Sequence, residues 1–475
     1  MDESRKIPRR TFVKAAVVAG VGAPLVAAPV SALTGRRATR PPGEPRSPGA
    51  TPGPIFADAG AAPTLRVRSD GSYDPWLEVD PDALLHNAVR AGELAGGRPV
   101  LGVIKNNGYG LGIRHVGTVL DRAPEIHTLA VVTAQEAMEL RDAGVRKPIL
   151  LMAAADPSTE EELVARDVHL APFQDDAPRR LEALAGRRGA PIPVHLYLDT
   201  GMGRLGMPYH RALPWMAEMD AAGGIRVEGT FMAFTETDDF DPEQLARFRA
   251  VAAQARDRGV ATGALHAASS HGLFHRPDAL LDAVRPGLVL FGAYPSGGIE
   301  REREWEARGA RSAEEARGDR GPQEGAAGRS PGSGELSLRP AHRLRARVVR
   351  VTRLRPGDTV SYGRNYVARR PTWAATLPVG HADGYPRRAV EGCRVLIGKR
   401  THPVIGAVSA SHTIVEVGPA GPEGTDPPVR VGDVATLVGP DHPDIHPNEV
   451  ATRAGISVYD VLMHLGARLP VRSAG

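Results

Sequence analysis

The side chain with the clearest capacity for chemistry in this sequence is the amine of Lys105. It ends the apolar run Val100–Ile104 and opens a glycine-punctuated loop that carries Tyr109. A lysine amine is costly to bury unless it is paired with an opposite charge or used in a reaction. The simplest interpretation makes Lys105 the first solvated residue after a strand, so the rest of the chain must decide whether it is functional.

Two other kinds of chemistry are not supported by the spacing of their residues. Cys393 is the only cysteine in the sequence, which excludes an internal disulfide and a CxxC metal site. His271, His381 and His412 follow no recognisable metal-ligand spacing, so we expect solvated or hydrogen-bonded histidines and predict no metal site.

Length and charge restrict the class of protein. The chain has 475 residues, which is too long for one ordinary domain, and 42% of its residues are hydrophobic. Its formal net charge is only +4, and much of the excess is arginine in segments rich in Pro and Gly. No stripe of basic residues alternates with aromatic residues, so the sequence indicates no nucleic-acid partner.

Eight short apolar runs must position the candidate lysine. They alternate with stretches of helical spacing over residues 74–296, and this alternation predicts an α/β fold, a (β/α)8 barrel of the TIM type. The active site of such a barrel lies at the carboxyl ends of its strands. Lys105 ends the first run, so a chemical role is favoured over a structural one. The runs are PVLGVIK, HTLAVVT, PILLMAA, VHLAPF, IPVHLYLDT, IRVEGTFMAF, ALHAASS and AVRPGLVLFG.

The sequence pattern changes after residue 336. Residues 337–475 contain short β-rich runs, such as RARVVRVTRL, CRVLIG and HTIVEVG, which are separated by Gly and Pro turns. No long helical period interrupts these runs. The pattern predicts a second, mostly β domain at the C-terminus.

The N-terminus has the features of an export signal. Arg9 and Arg10 precede an apolar run, Ala15–Ala28, that is too short and too often broken by Gly and Pro to span a membrane. With Val30–Ala32 as a cleavage site of small residues, segment 1–34 resembles a twin-arginine signal, which directs folded proteins out of the cell. We therefore expect a secreted, periplasmic or cell-envelope protein whose mature form has no membrane span.

Two segments have the composition of disordered linkers or insertions. Residues 35–73 are rich in Pro, Gly and Arg, and we expect them to form a disordered tether. Residues 297–336 carry charges of both signs and few apolar residues, which is typical of a solvated, low-complexity insertion between domains.

From Trp76 to Arg472, except for the insertion, the chain resembles the alanine racemase family of fold-type III pyridoxal phosphate enzymes. Each block of similarity alone is a modest signal, but seven blocks in the family's order and spacing form a strong one. The blocks are VIKNNGYGLG (103–112), HLYLDTGMGRLG (195–206), HAASSHGL (266–273), VRPGLVLFG (284–292), VSYG (360–363), LPVGHADGYPRR (377–388) and IGAVSASHTIVEV (405–417).

The resemblance implies a function for the lysine. Lys105 would hold pyridoxal 5'-phosphate as a Schiff base and, once substrate displaces it, would act as a proton-transfer base. Racemisation also needs a second base on the opposite face of the substrate carbanion. In the family this base is a tyrosine from the other subunit of a homodimer, and the matching residue here is Tyr362.

The resemblance also implies residues that bind the cofactor and the substrate. Arg285 falls where the family places an arginine against the pyridine nitrogen, which stays unprotonated because arginine only donates hydrogen bonds. Arg204 matches the arginine near the substrate carboxylate. The positions that match phosphate-binding residues are Tyr109, Ser270, Gly287 and Leu288.

The chain departs from the family around the substrate. Tyr197 stands where the family often has a carbamylated lysine, whose negative charge supports the arginine. Near the cofactor, Ala233 replaces a histidine and Ser269 replaces an asparagine. The substrate side has lost three large residues, a tyrosine (now His381), a methionine (now Ala410) and a second tyrosine (now Ala467). We therefore expect a substrate site that is wider than is usual in the family.

The resemblance thus implies a dimeric amino-acid racemase that uses pyridoxal phosphate, with alanine as the default substrate, and the N-terminal segment predicts that it is exported. A racemase of other or larger amino acids is one alternative, because the substrate entrance is altered. A pyridoxal phosphate-binding protein with weakened catalysis, serving as a carrier or a ligand-binding module, is another.

Overall fold

The computed structural model describes residues 74–305, 307, 337–466 and 469–473. The expected export signal (1–34), the expected tether (35–73), most of the charged insertion and Ala467 lie outside these residues. None of the helices in the described ranges is both long enough and apolar enough to cross a membrane.

The first domain is built around a curled sheet of parallel strands. Each main strand pairs with the next one along the chain. A bridge from His266 to Ala283 joins the seventh strand to the eighth run, and a bridge from Val100 to Val284 joins the eighth run to the first strand. The predicted α/β barrel is therefore confirmed, although its eighth run closes the barrel through bridges instead of a full strand. The strands are Val100–Val103, Ile126–Val131, Ile149–Leu151, Val168–Leu170, Ile192–Asp199, Ile225–Phe231 and Ala264–His266, with the short Met207–Pro208 beside the fifth.

Helices follow most of the strands and form the outer layer of the barrel. Local sequence fixes where they begin: Asp80 accepts a hydrogen bond from the N–H of Ala83, and Thr133 and Glu136 form a reciprocal capping box. The α-helices are Pro81–Leu94, Ile113–Leu120, Ala134–Asp142, Pro157–Ala165, Ala177–Arg188, Tyr209–Ala221, Asp241–Asp257 and Ser270–His275, and 3-10 turns follow at Pro277–Ala279 and Leu288–Phe291. Lys105–Tyr109 forms a single helical turn with left-handed φ angles.

The barrel interior is filled with side chains. A small apolar cluster that includes Tyr197 and Phe231 lies inside the sheet, and a much larger one lies between the strands and the helices. The rings of Tyr197 and Phe231 stack with their centroids 4.3 Å apart. Because the interior is packed, a ligand must bind at the ends of the strands.

The C-terminal domain is a nine-stranded sheet that also takes in the first strand of the described residues. Trp76–Val79 pairs antiparallel with His342–Arg347 and parallel with Val471–Ser473, so this strand lies outside the barrel to which the sequence assigned it. The mostly β character predicted after residue 336 is confirmed. The other strands are Arg350–Leu354, Thr372–Leu377, Arg394–Ile397, Arg400–Ile405, Thr413–Pro419 and Val434–Val438, with a separate hairpin of Thr359–Val360 and Tyr366–Val367.

Helices in this domain are short. The α-helices are Pro447–Ala454 and Val458–Leu465, and the 3-10 turns are Tyr362–Arg364, His381–Asp383, Arg387–Glu391 and Pro443–Ile445. The second α-helix packs against the barrel, where it meets the turn that carries Lys105.

The chain leaves the barrel in a helix that spans residues 298–305. Glu302 is 4% exposed in this helix, and its carboxylate accepts hydrogen bonds from the hydroxyls of Tyr294, at 2.5 Å, and Ser337. These contacts tie the first residues of the charged insertion to both domains. The helix is therefore solvated on one side only, with Glu300, Arg301, Arg303 and Glu304 exposed and Glu302 buried.

Candidate active site

The turn that carries Lys105 has a left-handed backbone. Asn106, Asn107, Gly108 and Tyr109 have φ angles of 55°, 57°, 62° and 53°. A left-handed turn costs roughly 1–2 kcal/mol for each residue with a Cβ, and Gly and Asn are the residues that tolerate it best. Backbone strain of this kind is concentrated at functional sites, so the turn is the first structural sign of a site.

Hydrogen bonds from outside the turn hold this strained backbone in place. Glu136 is 8% exposed, and its Oε1 accepts a hydrogen bond from the N–H of Asn107 at 2.8 Å. The side-chain oxygen of Asn107 accepts another from the N–H of Ile113 at 2.9 Å. Lys105 is thereby fixed at the carboxyl end of the first barrel strand, as the sequence predicted.

The amine of Lys105 lies among opposing charges. Burial lowers its pKa, and the positive charge of Arg204 lowers the pKa further. The carboxylates of Glu236 and Glu136 act in the opposite direction. The net shift of the pKa is downward, so a larger fraction of the amine is neutral near neutral pH. The neutral amine is the form that can act as a nucleophile or a base.

A cradle of hydrogen-bonding groups lies beside the lysine turn. The Oγ of Ser270 accepts hydrogen bonds from the N–H groups of Gly287, at 3.0 Å, and Val289, at 3.3 Å. Leu288 lies between these two residues and begins a 3-10 turn. Backbone N–H groups, a serine hydroxyl and the phenol of Tyr109 together form a set of donors suited to a phosphate group.

Gly287 allows the phenol of Tyr109 to reach the cradle. A Cβ at residue 287 would lie 2.2 Å from the Tyr109 oxygen, so no other residue type fits without a rearrangement. Tyr109 is 3% exposed and stacks on Phe291 with ring centroids 4.4 Å apart. Burial raises the pKa of Tyr109 well above its usual value, so the phenol keeps its proton and can donate a hydrogen bond.

The C-terminal domain covers the same turn. The ring centroid of Tyr459 lies 6.2 Å from that of Tyr109, and the side-chain amide of Asn106 donates to the sulfur of Met463 at 3.3 Å. A Cβ on Gly466 would lie 1.3 Å from the carbonyl oxygen of Gly110, so the two backbones are in direct contact. The lysine turn is thus held between the two domains of one chain.

Arg285 is buried in the barrel, at 7% exposure, with neutral partners. Its guanidinium donates to the Nδ1 of His266 at 2.9 Å and to the carbonyl oxygens of His266 and Met232 at 2.5 Å each. The guanidinium also lies 4.9 Å from the ring centroid of Phe231. Burial lowers the pKa of Arg285 to about 10, so the side chain is still a cation at neutral pH.

A row of buried imidazoles extends from Arg285 into the barrel. The Nε2 of His266 lies 2.9 Å from the Nδ1 of His195, and the Nε2 of His195 lies 3.4 Å from the Nδ1 of His169. Burial lowers the pKa of His195 to about 3 and that of His266 well below its usual value. Arg285 donates to the Nδ1 of His266, so the proton of this ring must lie on Nε2, which donates to His195. His195 in turn donates from its Nε2 to His169.

The positions expected near the substrate differ in their surroundings. Tyr197 is buried inside the barrel against Phe231. Arg204 follows the strand Ile192–Asp199, is exposed, and has no ion-pair partner among the residues that the structure describes. An exposed guanidinium that acts electrostatically on Lys105 is available to bind a carboxylate. Ala233 has a structural contact, since its carbonyl oxygen accepts from the side chain of Gln244 at 3.2 Å.

Tyr362, His381 and Ala410 lie together on the C-terminal domain. Two hydrogen bonds connect their segments through the loop 406–412: the hydroxyl of Ser361 donates to the carbonyl of Ala407, and the N–H of His381 donates to that of Ser409. Tyr362 is 77% exposed, and in a single chain its hydroxyl forms no hydrogen bond with the described residues of the lysine turn. The structure therefore groups the site residues into two sets: Lys105 with the cradle, and Tyr362 with the entrance positions.

Several residues of the site were missed by the sequence interpretation. Glu136 lies in a Thr-x-x-Glu pattern, which indicates the start of a helix and gives no sign that its carboxylate also reaches Asn107. His266 opens the block HAASSHGL, but its contact with Arg285 exists only because the barrel closes. Tyr459 and Glu236 come from distant segments and stand in no motif that the sequence singles out.

Comparisons with known proteins match both domains. The family model described as "Alanine racemase, N-terminal domain" matches residues 79–295, and that described as "Alanine racemase, C-terminal domain" matches residues 341–473. An alanine racemase of Desulforamulus reducens is 32% identical over 401 residues, which cover 83% of this chain and 97% of that protein. The chain belongs to the alanine racemase family. The resemblance seen in the sequence is confirmed, and with it the class of enzyme, an isomerase.

Solved structures of alanine racemases share this fold. The enzyme of Streptomyces lavendulae has a TM-score of 0.71 and 26% identity, with 85% of this chain and 98% of that chain covered. The enzyme of Streptomyces coelicolor has a TM-score of 0.69 and 27% identity, with 86% and 99% covered. Alanine racemases use pyridoxal phosphate, whose phosphate group needs hydrogen-bond donors of the kind that the cradle beside Lys105 contains.

Proposed function

We propose that this chain is a pyridoxal phosphate-dependent amino-acid racemase that interconverts L- and D-alanine with two bases, Lys105 and Tyr362. One observation carries the proposal. The partly buried amine of Lys105, with its lowered pKa, lies beside the cradle of Ser270 and Gly287, at the carboxyl ends of the barrel strands.

The residues present fit pyridoxal phosphate. The hydroxyls of Ser270 and Tyr109 and the N–H of Leu288 would hold its phosphate, and the amine of Lys105 would hold its aldehyde carbon. The N–H of Gly287 donates to the Oγ of Ser270 and so leaves the serine O–H to point at the phosphate. The close approach of Tyr109 to Gly287 supports this assignment, because a Cβ at residue 287 would displace the phenol from the cradle. When bound, the cofactor withdraws electrons from the substrate's Cα, which makes the Cα proton acidic enough to remove.

Lys105 is suited to move a proton at the Cα of the substrate. Its lowered pKa favours the neutral amine, which can accept the Cα proton on one face and return it there. Arg204 carries a planar set of N–H donors that can bind the substrate carboxylate in a bidentate manner. This contact orients the Cα relative to the amine.

Arg285 would face the ring nitrogen of the cofactor and keep it unprotonated. The guanidinium has donors only, and at a pKa of about 10 it does not give up its proton at neutral pH. Because an unprotonated ring withdraws electrons less strongly, side reactions such as transamination are limited. The neutral partner His266 fixes the guanidinium without cancelling its charge.

A second copy of the chain would complete the site. Tyr362 is 77% exposed, which suits a residue that serves the site of a partner. Residues 74–296 carry 30 acidic and 22 basic side chains, whereas residues 337–475 carry 11 acidic and 19 basic ones. The barrel of one copy therefore attracts the C-terminal domain of another, which favours a head-to-tail homodimer. In that arrangement Tyr362 would exchange a proton with the Cα from the face opposite to Lys105.

Racemisation of larger amino acids is the second candidate function. His381 and Ala410 are exposed beside Tyr362, at positions where the family has larger or different side chains, and Ala467 replaces another tyrosine. One methylene in a pocket decides about 1–3 kcal/mol of discrimination, so these losses admit larger substrates. Tyr197 is a phenol packed on Phe231 and supplies no carbamate charge to orient a small substrate through its carboxylate.

We also propose that the protein leaves the cell in folded form. The twin arginines Arg9 and Arg10 and the short apolar run after them support a twin-arginine signal. Pyridoxal phosphate is made inside the cell, so a protein that folds around it before export carries the cofactor with it. A signal for folded proteins is therefore consistent with a cofactor enzyme that works outside the cytoplasm.

A chiral assay on the purified protein distinguishes the candidate functions. The protein, supplied with pyridoxal phosphate, is incubated separately with L-alanine, L-methionine, L-lysine and L-arginine, and the D-enantiomers are measured by chiral chromatography. The proposal predicts D-alanine. A borohydride-sensitive absorbance band without any D-amino acid would indicate the third hypothesis, a cofactor-binding protein with weakened catalysis. Absence of both the band and the products would refute the proposal.

A further inference from the structure

Glu236 stands on a segment that is held rigidly at the carboxyl end of the barrel. The segment follows the strand Ile225–Phe231, and threonines flank the glutamate on both sides. The N–H of Thr235 donates to the side-chain oxygen of Gln244 at 2.9 Å, and the N–H of Thr237 donates to the carboxylate of Asp241 at 3.2 Å. Both acceptors are at most 1% exposed, so the backbone around Glu236 is anchored in the core.

The backbone of Glu236 itself is strained. Its φ angle is 60°, in the left-handed region, where a glutamate has neither the freedom of glycine nor the local hydrogen bonding of asparagine. Such strain persists only where the surrounding structure enforces it, and it is concentrated at functional sites. The anchored threonines enforce it here and fix the direction in which the glutamate leaves the backbone.

Contacts connect Glu236 to the cradle. The hydroxyl of Ser269 donates to the Oε1 of Glu236 at 3.2 Å, and Ser269 also caps the helix Ser270–His275. The next residue, Ser270, accepts from the N–H of Gly287, on which the phenol of Tyr109 lies. The carboxylate is therefore only a few contacts from the turn that carries Lys105.

Glu236 presents an exposed carboxylate that acts electrostatically on Lys105 and His271 without forming an ion pair with either of them. The side chain is exposed, and no lysine, arginine or histidine among the described residues forms an ion pair with it. Lys105, the reacting amine, lies between two opposite influences, with Arg204 lowering its pKa and Glu236 raising it. Near the amine of Lys105 the described residues thus offer an exposed cation, Arg204, and an exposed anion, Glu236, to a ligand.

We propose that Glu236 is a specificity-determining residue that selects amino acids with a cationic side chain, such as lysine, ornithine and arginine. Arg204 binds the substrate's carboxylate, and Glu236 binds the ammonium or guanidinium group at the end of its side chain. Alanine has no group for Glu236 and gains nothing from it. The inference rests on the racemase activity proposed above and narrows the larger substrates to one chemical class.

Because its backbone is anchored, the single carboxylate of Glu236 can favour a cationic substrate. A charged group on a flexible surface loop gains little from an ion pair, because it must be ordered when the pair forms. Glu236 is already ordered by its backbone and by Ser269, so the substrate supplies only its own ordering. Removal of the charge therefore weakens the transition state for a cationic substrate and leaves no comparable loss for a neutral one.

The test is the ratio of kcat/KM for L-lysine to kcat/KM for L-alanine, measured on holoenzyme by chiral chromatography. Glu236→Gln removes the charge and keeps the size, and we expect it to lower this ratio roughly tenfold or more, the effect of losing one charge-assisted contact. Glu236→Lys should lower it further. Glu218→Gln, the same change at an exposed glutamate on the outer helix Tyr209–Ala221, should leave the ratio unchanged.

Each other outcome has a distinct meaning. Equal losses for lysine and alanine in Glu236→Gln, with a shifted pH profile of kcat, would show that Glu236 acts on Lys105 and would overturn the specificity role. A wild-type enzyme that racemises alanine but neither lysine nor arginine would overturn this inference and leave the proposed function intact. A wild-type enzyme that racemises none of them would instead overturn the proposed function.

Discussion

Arg285 and His266 form a buried pair in which a guanidinium donates, over 2.9 Å, to the Nδ1 of an uncharged imidazole. This contact determines which nitrogen of His266 carries the proton, since Nδ1 accepts and Nε2 must therefore donate to His195. His266 therefore fixes the position of the Arg285 guanidinium in the proposed cofactor site. Burial lowers the pKa of this guanidinium to about 10.

The first prediction concerns this pair. His266→Leu leaves a buried guanidinium N–H without its acceptor, and we expect a loss of about 2–4 kcal/mol in the free energy of unfolding. Urea denaturation of the apoprotein measures it. His210→Leu, the same change at an exposed histidine, is the control and should cost less than about 0.5 kcal/mol. Equal stability of the two variants would contradict the assigned role of His266.

The second prediction concerns the cradle. Gly287→Ala places a methyl group 2.2 Å from the Tyr109 oxygen, so the phenol must move and the affinity for pyridoxal phosphate should fall roughly tenfold or more. Fluorescence titration of the apoprotein with the cofactor gives the Kd. Gly186→Ala, where an added Cβ meets nothing within 4 Å, is the matched control.

A double variant tests the cause of that loss. Tyr109→Phe removes the atom nearest to the added methyl group, so it should weaken binding less in the Gly287→Ala background than in the wild type. If the two substitutions are additive, the overlap between the phenol and residue 287 is not the reason for the weaker binding.

The third prediction concerns acid stability. His342 is fully buried with both ring nitrogens unpartnered among the described residues, and burial lowers its pKa to about 4. The unfolded chain binds a proton near pH 6.5, whereas the folded chain binds it only near pH 4. The stabilising contribution of neutral His342 to the free energy of unfolding is therefore fully present above pH 6.5. It falls by on the order of 3 kcal/mol as the pH decreases toward 4.

Neighbouring His446 adds to the same loss. Burial lowers the pKa of His446 to about 4 as well. The folded protein therefore loses the contributions of both histidines over the same pH range. Urea denaturation of the apoprotein at pH 7, 5.5 and 4.5 should show a decline that His342→Leu makes shallower. His412→Leu, at an exposed histidine, should leave the decline unchanged. A pH dependence identical in the wild type and His342→Leu would contradict the prediction.

The fourth prediction concerns export. Replacing Arg9 and Arg10 with lysine should leave the protein in the cytoplasm, because the twin arginines are the recognised feature of such a signal. Immunoblots of cytoplasmic and exported fractions provide the measurement. The pair Arg36 and Arg37 lies beyond the predicted signal, so the same replacement there serves as the control. Export of the Arg9/Arg10 variant at wild-type level would rule out the signal.

The fold was predictable from sequence where the information is local. The eight apolar runs separated by helical spacing are each short and self-contained, and they predicted the barrel because neighbouring strands along the chain also pair in space. Trp76–Val79 falls within residues 74–296, the range given to the barrel domain, but pairs in the other sheet, and the sequence did not show this for the opposite reason. Its partners, His342–Arg347 and Val471–Ser473, lie hundreds of residues away, and no local pattern encodes that pairing.

The positions of the candidate site residues were also predictable only where local sequence and barrel topology determine them. Lys105, Ser270 and Gly287 follow barrel strands or the closing run, so the topology alone brings them to one end of the barrel. The left-handed turn, the imidazoles behind Arg285 and the carboxylate of Glu236 depend on contacts between segments far apart in sequence. Their residue types are ordinary, and only the folded structure gives them a role.

The most direct test of the account is a hybrid dimer of two inactive chains. Lys105→Ala removes one base and Tyr362→Phe removes the other, so each variant alone should lose nearly all alanine racemisation. The two chains are co-expressed with different affinity tags, and the hybrid is purified through both tags. If each site uses Lys105 of one chain and Tyr362 of its partner, the hybrid has one intact site and should show about half of the wild-type activity. A hybrid as inactive as its parents would contradict the shared two-base site.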